Sequence, residues 1–135
     1  MSLIDWDNSL SVSVAEIDRQ HQKLINIIND LYDGMREGRS KDIQGQIVDD
    51  LIRYTVEHFK TEEKYFDRFG YPETSAHKKE HAAFVDKMNG IREKESQGKV
   101  YLSVEIMNFL KDWLKKHIKG TDKKYSAFFN NNGLK

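Results

Sequence analysis

Read for a repeat of 3.6 residues, the chain separates into four amphipathic segments joined by short polar stretches. The first runs from about Glu16 to Glu37 and places Ile17, Leu24, Ile28, Leu31 and Met35 on one face. Gly38 and Ser40 punctuate it, and Ser40 is placed to cap the segment that follows. The second carries Ile47, Leu51, Tyr54, Tyr65 and Phe69 and stops at Gly70, with Pro72 just beyond. The third starts near Thr74 or Ser75, turns Phe84, Met88 and Ile91 inward, and ends before Gly98. The fourth begins near Ser103 and uses Ile106, Leu110 and Trp113 until Gly120 closes it. Asp122 is then expected to cap a short final helix in K-K-Y-S-A-F-F, and the first fifteen residues read as an irregular arm that Trp6 packs onto the rest. Long amphipathic helices with short connections predict an all-α fold, an up-down-up-down four-helix bundle, over a single domain of residues 1–135.

Composition narrows what such a bundle does. The chain has 135 residues, enough to bury about 68–70% of the surface its unfolded form exposes. Its 22 basic residues balance 22 acidic ones, so no net field draws it to nucleic acid or to an anionic membrane. Lys111, Lys115 and Lys119 recur every fourth residue as a solvated helix face. The absence of cysteine excludes disulfides, thiolate metal sites and thiol catalysis. The N-terminus M-S-L-I-D-W-D-N has neither a basic region nor an apolar run, and no segment reads as a membrane span, so a cytoplasmic monomer is expected.

The histidines break the apolar pattern in a regular way. His21 lies between Ile17 and Leu24 on the first stripe, and His58 with Glu62, in H-F-K-T-E, continues the second. His77 and His81 precede Phe84 by seven and three residues, and His117 follows Trp113 by four. All five histidines therefore fall on inward faces. In an up-down-up-down bundle they also share one end, within about 15 Å along the axis at the rise of an α-helix. A single histidine on an apolar face is most simply a satisfied core residue. Five imidazoles and a carboxylate around one point would strand many buried polar atoms, so a metal site is the better account than a hydrogen-bonded network.

Asp122, in H-I-K-G-T-D, follows Gly120, and a chain break there would turn its carboxylate back to the same point. That gives seven side-chain ligands: His21, His58, Glu62, His77, His81, His117 and Asp122. A tetrahedral ion takes four ligands and an octahedral ion six, so one metal cannot use them all, whereas two can. If both carboxylates bridge through both oxygens and a solvent-derived oxygen bridges as well, two six-coordinate ions keep one open position.

The ordered set of a lone histidine, H-x-x-x-E, H-x-x-x-H and H-x-x-x-x-D resembles the hemerythrin family, and most nearly its stand-alone bacterial form, bacteriohemerythrin. The arm W-D-N-S-L-S-V-S-V, the stretch I-D-R-Q-H-Q and W-L-K-K-H resemble that family too, and the likeness spans nearly the whole chain. The resemblance implies two non-haem iron ions, oxo- or hydroxo-bridged, that bind dioxygen reversibly as a carrier or store and do not act as an enzyme. It assigns His77, His81 and His117 to one iron, His21 and His58 to the other, Glu62 and Asp122 as bridges, and the open position to the two-histidine iron. Leu114, Trp113, Phe84, Ile25 and Ile118 are expected to wall the oxygen pocket, and Glu80 and Asp18 to lie outside the ligands or on the surface. A di-iron oxidase, a nitric-oxide or oxygen sensor and a metal-dependent hydrolase stay open as alternatives, as does any oxygen-consuming partner enzyme.

Overall fold

The computed structural model describes residues 3–38, 41–96 and 104–135, with the side chains of 41–44, 94–96 and 104–106 outside the description. The expected cap at Ser40, the stop at Gly98, the start at Ser103 and the inward Ile106 lie outside the described residues. Helices α1 (Ala15–Arg36), α2 (Lys41–Phe69), α3 (Thr74–Ser96) and α4 (Val104–Lys116) form the up-down-up-down bundle, and α5 (Lys123–Asn131) follows. Among the described residues there is no strand, and no helix is long and apolar enough to cross a membrane.

Each helix turns a line of side chains inward, at steps of four and three residues. On α1 the line is Ile17, His21, Leu24, Ile28 and Leu31; on α3 it is His77, His81, Phe84, Met88 and Ile91, all buried. On α2 it runs Leu51, Thr55, His58, Glu62 and Phe66, and on α4 Met107, Leu110, Leu114 and His117. The outer flanks are less enclosed than the apolar pattern alone suggests. Tyr54 and Phe69 are only partly buried, and Lys23 Nζ sits 4.5 Å above the Tyr54 ring. A tyrosine at a stripe's edge keeps its hydroxyl in water while its ring covers the core.

The N-terminal arm is fastened rather than loose. It contains one 3-10 turn (Asn8–Leu10), and Ile4, Leu10, Val12 and Val14 are fully enclosed. Asn29 bonds Ile4 in both directions, its Oδ1 accepting from the Ile4 N–H and its Nδ2 donating to the Ile4 carbonyl, each at 2.9 Å. Asp18 accepts from the Val12 N–H at 2.8 Å and from Ser11 Oγ at 2.6 Å. Trp6 packs partly buried against the core, as the sequence suggests.

One expectation is overturned here. Gly120 does not close a helix, and no chain break precedes Asp122. Instead α4 runs on through a π-helical segment, His117–Asp122, directly into α5. Asp122 is helical, with φ −68° and ψ −37°, and makes no side-chain cap.

At the end of α2 the chain reverses on Gly70, where φ is +69° and the Gly70 and Tyr71 N–H groups both donate to the Phe66 carbonyl, at 2.9 and 3.0 Å. A side chain there would meet no atom within 4 Å, so the glycine is required for its left-handed backbone alone. Gly70→Ala is therefore expected to destabilise the fold by about 1 kcal/mol. Urea melts of the two chains check this, and no loss of stability would contradict it.

Candidate metal centre

The inward lines of four elements meet at one end of the bundle. His21 comes from α1, His58 and Glu62 from α2, His77 and His81 from α3, and His117 and Asp122 from the π-helical segment. All seven are at most 3% exposed.

The π-helical turn explains how Asp122 joins them. In an α-helix, residues five apart point about 140° from one another, so Asp122 would miss the face that His117 occupies. Here the Lys123 N–H bonds back to the Ile118 carbonyl, five residues away, and the widened turn brings both side chains to one face. His117 Nε2 and Asp122 Oδ1 stand 3.0 Å apart.

Every imidazole presents its Nε2 to the two carboxylates. Asp122 lies 2.9 Å from His77 Nε2 and 3.1 Å from His21 Nε2. Glu62 lies 3.0 Å from His58 Nε2, 3.4 Å from His81 Nε2 and 4.0 Å from His77 Nε2. The ligand atoms fall into two overlapping groups, each within 4.8 Å: Glu62, His77, His81, His117 and Asp122, and His21, His58, Glu62 and Asp122. The two carboxylates belong to both.

These contacts do not close as hydrogen bonds. His21 Nε2, His77 Nε2, Glu62 Oε1 and both Asp122 oxygens are fully buried without a hydrogen-bond partner. Buried polar atoms left so cost about 1–3 kcal/mol each, and several converging on one point fit a cation that binds them all. The donor set of imidazole nitrogen and carboxylate oxygen suits first-row transition metals.

Three of the five rings are held from behind, while His21 Nδ1 and His77 Nδ1 have no hydrogen-bond partner among the described residues. His58 Nδ1 meets Gln20 Oε1 at 2.6 Å, His81 Nδ1 meets Glu63 Oε2 at 2.9 Å, and His117 Nδ1 faces Glu80 Oε1 at 3.4 Å. Tyr125 donates its hydroxyl to Glu62 Oε2 at 2.6 Å, and Thr121 donates to Glu80 at 2.9 Å. Such partners fix ring orientation and raise ligand basicity. Glu80 and Asp18 both lie outside the ligand set, Glu80 facing His117 and Asp18 fastening the arm. Gln20, Glu63, Thr121 and Tyr125 were not singled out from sequence. Their one signal is adjacency: Gln20 precedes His21, Glu63 follows Glu62, Thr121 precedes Asp122, and Tyr125 sits three residues beyond it.

Without metal, the charges counterbalance one another. Burial works against a charge on His117, but Asp122, Glu62 and Glu80 hold its pKa up to about 9. Burial and the Asp122 charge push the Glu62 carboxyl up, yet His58 and His81 hold it below the usual carboxylate range. Burial raises Asp122 in the same way, and His117, His21 and His77 bring it well below. For Tyr125, burial and the two carboxylates push the phenol well above its ordinary value, so it stays a donor.

Beside the cluster lies a cavity of about 10 Å³, close to the room one water molecule needs. Its lining includes His58 and His117 together with Leu24, Ile28, Leu51, Thr55, Phe59, Phe84, Leu110, Trp113 and Leu114. Of the five residues expected around a small-molecule pocket, Leu114, Trp113 and Phe84 line it. Ile25 and Ile118 are buried in the core but are not among its lining residues, and on α1 the lining runs through Leu24 and Ile28.

Comparison with known proteins agrees with this geometry. The family model of the hemerythrin HHE cation binding domain matches residues 12–129. A bacteriohemerythrin of Methylococcus capsulatus is 33% identical over 126 residues, 93% of this chain and 95% of that protein. A bacteriohemerythrin of Stenotrophomonas maltophilia is 31% identical over 93% of this chain and 81% of that protein. A hemerythrin-like protein of Naegleria gruberi reaches 36% over 93% of each. A crystal structure of wild-type hemerythrin superposes with a TM-score of 0.89 at 31% identity, covering 93% of this chain and 97% of that one.

Two outcomes follow from the cluster's electrostatics. His117 carries a folded-state pKa of about 9 against an ordinary 6.5, so its contribution to stability is complete below 6.5 and disappears as pH rises through about 9. Melting temperatures of the metal-free chain should therefore fall between pH 7 and pH 10, and a flat or rising profile would count against the assignment. Removing Glu62, which both groups share, should lower retained metal more than tenfold in Glu62→Ala, while Lys60→Ala, on the exposed side of α2, leaves it unchanged. Elemental analysis after gel filtration decides between these, and equal metal content in both variants would contradict the site.

Proposed function

The chain belongs to the hemerythrin family, and from that premise we propose that it binds dioxygen reversibly at two non-haem irons, as a carrier or store rather than an enzyme. The observation that carries this reading is the pair of overlapping ligand groups that share Glu62 and Asp122. His77, His81 and His117 would hold one iron, His21 and His58 the other, and the two carboxylates would bridge them. When bound, two such irons supply the two electrons that dioxygen takes up and recover them when it leaves.

The chain's own residues do the rest. Five imidazoles and two carboxylates, with a solvent-derived bridge, would leave one of twelve positions unfilled, which the likeness to the family would put on the two-histidine side. His58 belongs to that side and lines the cavity, as does His117 of the other group, so the cavity adjoins the centre. Leu24, Ile28, Leu110, Trp113 and Leu114 make its walls apolar. Such walls slow the entry of water and protons, which would otherwise drive irreversible oxidation of the irons. Tyr125, by donating to Glu62, holds one bridging carboxylate in place. We read residues 1–135 as one such domain acting as a cytoplasmic monomer.

Two outcomes test the reading. Protein from iron-replete cells, reduced without oxygen and then exposed to it, should show charge-transfer absorption that disappears under vacuum and returns with oxygen. Absorption that never forms, or one turnover ending in an oxidised centre with no recoverable adduct, would favour a di-iron oxidase. Leu114→Ala, which opens the cavity wall, should still take up oxygen but lose reversibility sooner, with oxidation faster at lower pH. An unchanged decay rate with no pH dependence would remove the wall's protective role.

A further inference from the structure

The two ligand groups differ in what stands behind them. Two carboxylates back the three-histidine group, Glu63 on His81 at 2.9 Å and Glu80 on His117 at 3.4 Å. Among the described residues no carboxylate pairs with the two-histidine group from behind: His58 Nδ1 meets the Gln20 amide at 2.6 Å, and His21 Nδ1 has no hydrogen-bond partner.

A glutamine can turn either end of its amide toward a histidine, and here the neighbours settle which. Thr61 donates its only hydroxyl hydrogen to the Glu57 carbonyl at 3.2 Å, so toward Gln20 it can only accept. Gln20 Nε2 donates to it at 3.3 Å, which leaves Gln20 Oε1 against His58. An amide oxygen accepts and never donates, so His58 Nδ1 carries the hydrogen. His58 Nε2, 3.0 Å from Glu62 Oε1, keeps its lone pair for an ion. The relay from Glu57 through Thr61 and Gln20 thus fixes the ligating tautomer across the α1–α2 interface.

A carboxylate would fix the same tautomer, but it would also pull on the Nδ1 proton and add negative charge near the ion. Both effects strengthen an imidazole ligand, and partners of this kind change metal affinity by about 10–100-fold. We infer that Gln20, oriented by Thr61, is a positioning residue that fixes His58 without added charge, and so makes the His21–His58 position the more exchangeable of the two. The inference rests on the two-metal reading proposed above. Under it, the neutral backing lies on the side of the open position, where tight electronic commitment to the oxidised state would work against reversibility.

The test uses the full chain loaded with iron(II) without oxygen and challenged with an excess of a coloured iron(II) chelator. Release should occur in two phases of one iron each. Gln20→Glu should slow the fast phase about tenfold and leave the slow one, and Glu63→Gln should speed the slow phase about tenfold and leave the fast one. Thr61→Val, which frees the amide to turn, should speed the fast phase only. A fast phase unmoved by Gln20→Glu and Thr61→Val, or both phases shifting together in the Gln20 and Glu63 variants, would overturn the inference. If Gln20→Glu does not fold, as helical content and melting temperature report, Thr61→Val and Glu63→Gln still decide it. Release of a single iron per chain from the unsubstituted protein would instead defeat the two-iron reading, a separate outcome.

Discussion

Two carboxylates and five imidazoles, buried together at one end of a helical core, are the constraint to which the rest of the molecule answers. Taking an ionised carboxylate out of water costs several kcal/mol unless charges and hydrogen bonds surround it. Glu62 and Asp122 are wholly enclosed, and their short approaches to the imidazoles largely fail to close as hydrogen bonds. Proton charge on His117 offsets part of the cost in the ion-free chain. A cation shared by the convergent lone pairs would offset far more, and its binding would then contribute directly to folding. The bundle's other features serve this end: a pinned arm, a tight reversal at Gly70, and a belt of rings around the cluster. Phe59 stacks on His81 at 3.7 Å between ring centroids, and Trp113 stacks on His117 at 4.5 Å. These rings restrict the imidazoles and keep the cluster dry.

Much of this was legible in the sequence because one physical rule writes both core and site. Inward positions recur at steps of four and three, and the histidines occupy the same steps as the leucines and phenylalanines around them. His21, His58, Glu62, His77, His81 and His117 could therefore be placed by periodicity, and antiparallel topology put them at one height. Asp122 was named, but for the wrong local reason. Gly120 read as a stop, whereas the helix continues through it, and only the change from i→i+4 to i→i+5 bonding turns Asp122 onto the face of His117. A spacing of five in H-I-K-G-T-D was the available signal, since no α-helical face repeats at five.

The residues that periodicity could not reach are those whose role depends on a neighbouring helix. Gln20 and Glu63 each sit beside an inward residue and so lie on a flank, where sequence alone reads a solvated polar position; Glu80 could be named near the ligands, but not the ring it faces. Their partners belong to other elements: Gln20 on α1 meets His58 on α2, Glu63 on α2 meets His81 on α3, and Glu80 on α3 meets His117. Which flank faces which helix follows from rotation about each axis, and that is set by packing. The same rotation decides the cavity lining, where Leu24 and Ile28 stand in place of Ile25. It is also what separates a carboxylate-backed group from an amide-backed one, so the difference between the two sides of the centre lies in packing rather than in the ligand motif.

The most direct test of the account is anomalous diffraction at the iron edge from crystals of iron-replete protein. It predicts two peaks at this end of the bundle, one against His77, His81 and His117 and the other against His21 and His58, with Glu62 and Asp122 between them. A single peak, or iron bound away from the shared carboxylates, would contradict it.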